Sequence, residues 1–142
     1  MLCRIGLLDL LVRIFVHMTK KYVLVIDDSI TNQVLIEALL LEEGIRVHTV
    51  GNSAEALAYM KKEKPSLILL DILMPNVTGI DFLKSIKMNS ETKHIPVFII
   101  TAANTEAYRE QSQSLGATEF LPKPIDINYF IKRVKKVLHN DD

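Results

Sequence analysis

At 142 residues the chain has the length of one domain, enough to bury about two-thirds of its unfolded surface. Seventeen basic and seventeen acidic residues cancel, and 49% of positions are hydrophobic, so composition describes an ordinary soluble globule and argues against direct action on nucleic acid. The single cysteine, Cys3, excludes an internal disulfide, no Cys/His cluster has zinc-site spacing, and a reducing cytoplasm is the expected setting.

Residues 1–18, MLCRIGLLDLLVRIFVHM, are apolar apart from Arg4, Asp9, Arg13 and His17. Asp9, Arg13 and His17 fall at i, i+4 and i+8, so a helix here would carry one narrow polar stripe. Two charges in mid-segment, each costing about 2.5–3.5 kcal/mol at a helix centre, argue against a membrane span. No small-residue cleavage site marks a secretory signal. We therefore set residues 1–18 apart as a leader and read 19–142 as the folded domain. Three readings of the leader stand: a start misassigned upstream of Met18-Thr-Lys-Lys21, an interfacial or partner-binding helix, or a disordered segment.

From Lys20 onward, short apolar runs alternate with amphipathic stretches, the pattern of parallel βαβ units. Tyr22–Asp27 predicts the first strand. Ile30, Val34, Leu35, Ala38 and Leu39 then recur at helical spacing, and Gly44 fits the residue just past a helix end. Ile45–Val50 is short and β-rich. Asn52, three before Glu55, opens a helix that runs to about Lys62, with the carboxylate answering the cap. Pro65 breaks that helix, and Leu67–Asp71 follows, solidly apolar as a strand covered on both faces should be. Ile80, Phe82, Leu83 and Ile86 predict a short helix after Gly79. Pro96 heads the fourth strand, Val97–Ile100, where a missing N–H is tolerable. A polar helix is expected over Asn104–Leu115, stopped by Gly116. Thr118–Leu121 makes a fifth strand, and Ile127, Phe130, Ile131, Val134 and Val137 mark a closing helix. The count is (βα)5, an α/β fold with a five-stranded parallel sheet and no sign of repeats or linkers.

Asp27, Asp28, Asp71, Thr101 and Lys123 all fall at the carboxyl ends of these strands or just past them, where open parallel sheets bind ligands. Three carboxylates within about 5 Å repel by roughly 3 kcal/mol per pair at an effective dielectric near 20. Such a cluster protonates in part or takes up a cation, and hard oxygen donors with room for water favour Mg²⁺. An ionised aspartate attacks phosphorus to form an acyl phosphate, while phosphoryl transfer otherwise needs positioning and neutralised oxygens. An ammonium (Lys123) and a hydroxyl (Thr101) suit those oxygens. Taken singly each residue has a plainer reading: Asp28 or Ser29 as a helix cap, Thr101 as a strand end, Lys123 as a surface cation. The joint order favours phosphoryl transfer.

On Val25-Ile-Asp-Asp-Ser29, Leu70-Asp-Ile-Leu-Met-Pro75 with Gly79, Ile100-Thr-Ala102 and Phe120-Leu-Pro-Lys-Pro124, the chain resembles the receiver domain of two-component response regulators. The resemblance covers about Lys20 to Leu138 and makes 19–142 the receiver unit. It implies a doubly wound, flavodoxin-like (βα)5 sheet in the order 2-1-3-4-5, with Asp71 as phosphoacceptor from a histidine kinase or histidine phosphotransfer protein. Asp28, Asp71 and the backbone carbonyl of Leu73 would ligate Mg²⁺ (or Mn²⁺), with Asp27 acting largely through water. Thr101 and Lys123 would bind phosphoryl oxygens, the latter from a cis Lys123–Pro124 bond. Phe120 takes the place of the aromatic that swings inward as Thr101 is drawn to the phosphoryl group. The output is then a changed surface on the fourth helix, fifth strand and fifth helix, read by a downstream protein target. Leu73 and Ala103 are apolar where fast-cycling chemotaxis members carry polar groups that assist a hydrolytic water, so a longer-lived acyl phosphate is expected. Phe120 lacks a hydroxyl, which implies a softer switch.

Other readings remain beside this one. The sequence running out at Asp142, just past the fifth helical pattern, leads us to expect no DNA-binding or enzymatic output domain. An aspartate-dependent phosphatase would need an acid/base carboxylate two residues past its nucleophile, where this chain has Leu73. A flavodoxin-like cofactor binder would meet an acidic Asp27-Asp28-Ser29 loop that repels phosphate. A receiver fold that signals unphosphorylated would not need the complete residue set. A dimer that forms on phosphorylation is left open. Tyr108 and Arg109 on the polar fourth helix suit a partner face, although a partly buried Tyr108 is the simpler reading. His48, His94 and His139 read as solvated surface.

Overall fold

The computed structural model describes residues 6–11, 21–74 and 78–139. Its five strands are β1 (Tyr22–Ile26), β2 (Arg46–Val50), β3 (Leu67–Leu70), β4 (Val97–Thr101) and β5 (Glu119–Pro122). The helices alternating with them are α1 (Ile30–Glu42), α2 (Ser53–Lys62), α3 (Gly79–Met88), α4 (Glu106–Ser114) and α5 (Ile127–His139). All pairings are parallel, in the order β2-β1-β3-β4-β5. The expected doubly wound α/β sheet is the observed one.

Side chains alternate across the strands and feed two cores. Val23 and Val25 of β1 join Leu67, Leu69, Phe98 and Ile100 under α1 and α5. Leu24, Ile26, Ile68, Leu70, Val97 and Ile99 face the other way, toward α2 and α3. Every residue of β1, β3 and β4 is buried, which is why those runs lack the alternation of a half-exposed strand. The order of strands places the tips of β1 and β3 side by side, so Asp27 and Asp71 emerge as neighbours.

The helix ends follow local chemistry. Ser29, Asn52, Thr78 and Thr105 each accept a hydrogen bond from a backbone N–H three residues on, capping α1 to α4. Gly44, at φ +75°, closes α1 as expected. At α2, Glu55 answers the Asn52 cap as expected, accepting from its side-chain amide at 3.1 Å. Two details differ from expectation. α4 begins at Glu106, because Thr105 takes the cap and Asn104 turns back to the Ala102 carbonyl. On α1 the inward residues are Ile36 and Leu40, while Ile30, Val34 and Leu35 are exposed. α1 is apolar on nearly every side, so periodicity offers no unique face.

Of the leader, residues 7–11 are helical with Leu7, Leu8, Leu10 and Leu11 exposed. The rest of its predicted polar stripe, Arg13 and His17, lies outside the described residues, as do Cys3, Arg4, Pro75 and Asp142. Among the described residues no helix is long and apolar enough to cross a membrane.

Candidate functional site

Asp71 stands one residue past β3, its N–H donating to the Ile26 carbonyl at 3.0 Å, and it is 7% exposed. Asp27, 5% exposed, stands one residue past β1, with its N–H on the Val50 carbonyl at 3.1 Å. The two carboxylates are held alike. Each Oδ1 accepts from the backbone N–H two residues on, Ser29 for Asp27 and Leu73 for Asp71, both at 2.9 Å. Each Oδ2 accepts from the Lys123 ammonium at 3.0 Å. Burial works against that ammonium, but its hydrogen bonds to Asp27 and Asp71, with their charges, outweigh burial and raise its pKa above the ordinary lysine value. Asp28 is exposed beside them, and one oxygen from each of Asp27, Asp28 and Asp71 lies within 4.8 Å of the others.

The remaining expected residues surround this core of charge. Thr101 ends β4 fully buried; its Oγ1 accepts from the Ala103 N–H at 3.1 Å, and its carbonyl from the Lys123 N–H at 2.9 Å. That last bond joins the tips of β4 and β5, and the Lys123–Pro124 peptide is cis. The side chain of Leu73 is half exposed at the rim. Phe120, on β5, is half-buried against the α2–α3 core. Gly79 closes the loop behind Asp71: a Cβ there would meet the Ile72 Cα at 2.4 Å and the Asp71 carbonyl oxygen at 2.7 Å. Beside the carboxylates, Leu35, Leu39, Pro124, Ile125 and Ile127 line an apolar cleft of about 360 Å³ that opens onto Asp27, Asp71 and Lys123.

Three contacts were not foreseen from sequence. Gln33 reaches from α1 to donate to the carbonyls of Asp27 at 2.6 Å and Val50 at 3.3 Å, sewing together the β1 and β2 ends. Arg109 lies over the Phe120 ring, with its guanidinium carbon 4.7 Å from the centroid. His48, expected in solvent, is half-buried and stacks on Tyr59 at 3.5 Å between centroids. His94 and His139 are exposed, and Tyr108 is 37% exposed.

The donor set suits a hard divalent cation: three carboxylates stand against one ammonium, which in ionised form leaves a double negative charge. A buried aspartate, a cation-ready acidic pocket and a fixed lysine at the carboxyl edge of a 2-1-3-4-5 parallel sheet define a phosphoacceptor signalling module. Residues 23–135 match the family model of the response regulator receiver domain, and the chain belongs to that family. Receiver domains take phosphoryl groups from histidine kinases or phosphotransfer proteins and serve two-component and phosphorelay signalling rather than acting as enzymes. Among its relatives, the protein PilH of Pseudomonas aeruginosa is 32% identical, over 82% of this chain and 96% of that protein. Sporulation initiation phosphotransferase F of Bacillus subtilis is 34% identical, over 85% of this chain and 96% of its own length. The response regulator PleD of Caulobacter vibrioides is 38% identical, and the chain spans only a quarter of that longer protein. The solved structure of chemotaxis protein CheY4 from Vibrio cholerae superposes with a TM-score of 0.76, at 31% identity, over 82% of this chain and 98% of its own.

Proposed function

We propose that residues 19–142 form a stand-alone receiver that accepts a phosphoryl group on Asp71 from a histidine kinase or histidine phosphotransfer protein. The observation that carries this is the placement of Asp71, buried at the tip of β3 with its Oδ2 on Lys123 and two further carboxylates within 4.8 Å. An Asp71 oxygen attacks phosphorus, the P–N bond of the donor's phosphohistidine breaks, and its electron pair stays on the imidazole. Lys123 exchanges its carboxylate contacts for phosphoryl oxygens, and the Thr101 hydroxyl turns to donate to another. Asp28, Asp71 and the Leu73 carbonyl would hold Mg²⁺ (or Mn²⁺) directly, and Asp27 largely through water; bound there, the ion would supply neutralisation of charge on the transferred group.

The exposed apolar side chains Ile30, Val34 and Leu35 lie on α1, the helix that follows Asp27 and Asp28, and support a protein as donor. The near-full-length match to PilH and to the Bacillus phosphotransferase supports a receiver that works without an attached output domain. The signal leaves through α4, β5 and α5 as Thr101 and Phe120 rearrange, toward a downstream protein in the cytoplasm rather than nucleic acid or membrane. Apolar Leu73 and Ala103 leave a hydrolytic water without a polar guide, so the acyl phosphate persists.

Incubation with acetyl phosphate and Mg²⁺, read by intact mass, tests this directly. One phosphoryl group should be gained by the wild type and none by Asp71→Asn. After removal of the donor, Leu73→Asn should lose the group several-fold faster than the wild type. An equal gain in Asp71→Asn would move the acceptor elsewhere. No gain in the wild type, with no binding of beryllofluoride, would end the phosphoacceptor reading.

A further inference from the structure

α4 is held in an unusual way. Of its nine residues only Ser112 is buried, and the Ser112 hydroxyl has no hydrogen-bond partner among the described residues. Apolar anchorage resumes past its last turn, where Leu115 and Ala117 pack partly against the core. A helix on an open sheet ordinarily docks through an apolar stripe, and α4 has none. What reaches across from mid-helix is Arg109. Its guanidinium covers Phe120 on β5 at 4.7 Å, and its Nη2 donates to the Asn104 Oδ1 at 3.3 Å. One half-buried side chain thus ties together α4, β5 and the loop that follows Thr101. Phe120 itself lines the cleft between α4 and α5, with Gln113 and Tyr129 across from it.

We propose that Arg109 is a positioning residue for the phosphorylation response: laid over Phe120 and tied to Asn104, it holds the ring in the surface cleft and α4 against the sheet. The proposal rests on the reading of Thr101 and Phe120 as the elements that move. A cation over a ring of this exposure biases a two-state equilibrium by roughly three- to tenfold. Removing it lowers the weight of the held state, and a ligand that selects the other state then binds more tightly by the same factor. Arg109 in this account restrains the response.

The test uses the full chain and two readouts. In the unphosphorylated protein, Arg109→Ala should speed amide exchange in α4 by roughly three- to tenfold and leave α5 unchanged. In a beryllofluoride titration with Mg²⁺, the same variant should bind roughly three- to tenfold more tightly than the wild type. Arg109→Lys, which keeps a cation near the ring, should fall between the two. In a Phe120→Leu background, Arg109→Ala should add little, because the ring it acts on is gone. A merely structural role for Arg109 would loosen α4 and leave beryllofluoride affinity unchanged or weaker, and that result overturns the proposal. So would unchanged exchange in α4. Wild-type protein that takes no beryllofluoride would instead overturn the phosphoacceptor reading, and this inference with it.

Discussion

α4 and α5 flank the same short strand, yet they are attached by opposite means. α5 sets Phe130, Val134 and Leu138 into the core and adds a polar clamp at its first turns. There Glu119 of β5 accepts from the Tyr129 hydroxyl at 3.0 Å and pairs with Arg133 at 2.7 Å. α4 offers the core one hydroxyl and covers β5 with one guanidinium. The first arrangement is a wall fixed by area removed from water. The second is held chiefly by a cation–ring contact worth about 1 kcal/mol. In the proposed response α4 is the element that shifts and α5 the fixed reference against which it shifts.

The sharpest way to break this comparison is to weaken the wall. Phe130→Ala should cost about 3–5 kcal/mol, seen as a lower midpoint in urea unfolding. A cost as small as that of an α4 surface substitution would mean that α5 is no better anchored than α4. A gentler probe is Ser112→Ala. Deleting a buried hydroxyl without a partner should leave stability unchanged or raise it by up to about 1 kcal/mol, whereas a loss of 2 kcal/mol or more would reveal α4 to be specifically packed there.

The smallest effect serves as a control, far from both helices at the β2 edge. Burial, and next the Arg46 charge, hold the His48 imidazole below its ordinary pKa, with Glu37 and Glu55 offsetting only part of this. The fold therefore favours neutral His48. Its contribution is present above about pH 6.5 and is lost as pH falls through the lowered folded-state value. Unfolding curves between pH 7 and 5 should show a shallower decline in His48→Phe, which keeps the stack on Tyr59. The difference in amide exchange between α4 and α5 should be the same in both proteins.

Much of the site could be read from the residues alone, because strand tips are legible. A buried parallel strand is a run of apolar residues, so the first polar residue after it marks the edge of the sheet. Asp27, Asp71 and Thr101 stand out in that way, and Lys123 by its distance from the short fifth run. What stayed hidden was of two kinds. α1 carries Ile30, Val34, Leu35, Ile36, Leu39, Leu40 and Leu41, so no single stripe stands out, and only the packing against Val23 and Val25 selects Ile36 and Leu40. Contacts that depend on how elements pack against one another were equally invisible. Arg109 meets Phe120 across eleven residues of chain, and His48 meets Tyr59 across another eleven. Pattern shows which side chains are buried far better than it shows which surface groups touch.

Lys123 bridging Asp27 and Asp71 has a consequence for the life of the chain before it receives any signal. The lysine acts as a resident counter-ion: one ammonium divides its charge between two buried carboxylates and sets their separation. A divalent cation entering beside Asp28 would find those oxygens already in place, and its arrival would loosen a tether rather than assemble a site.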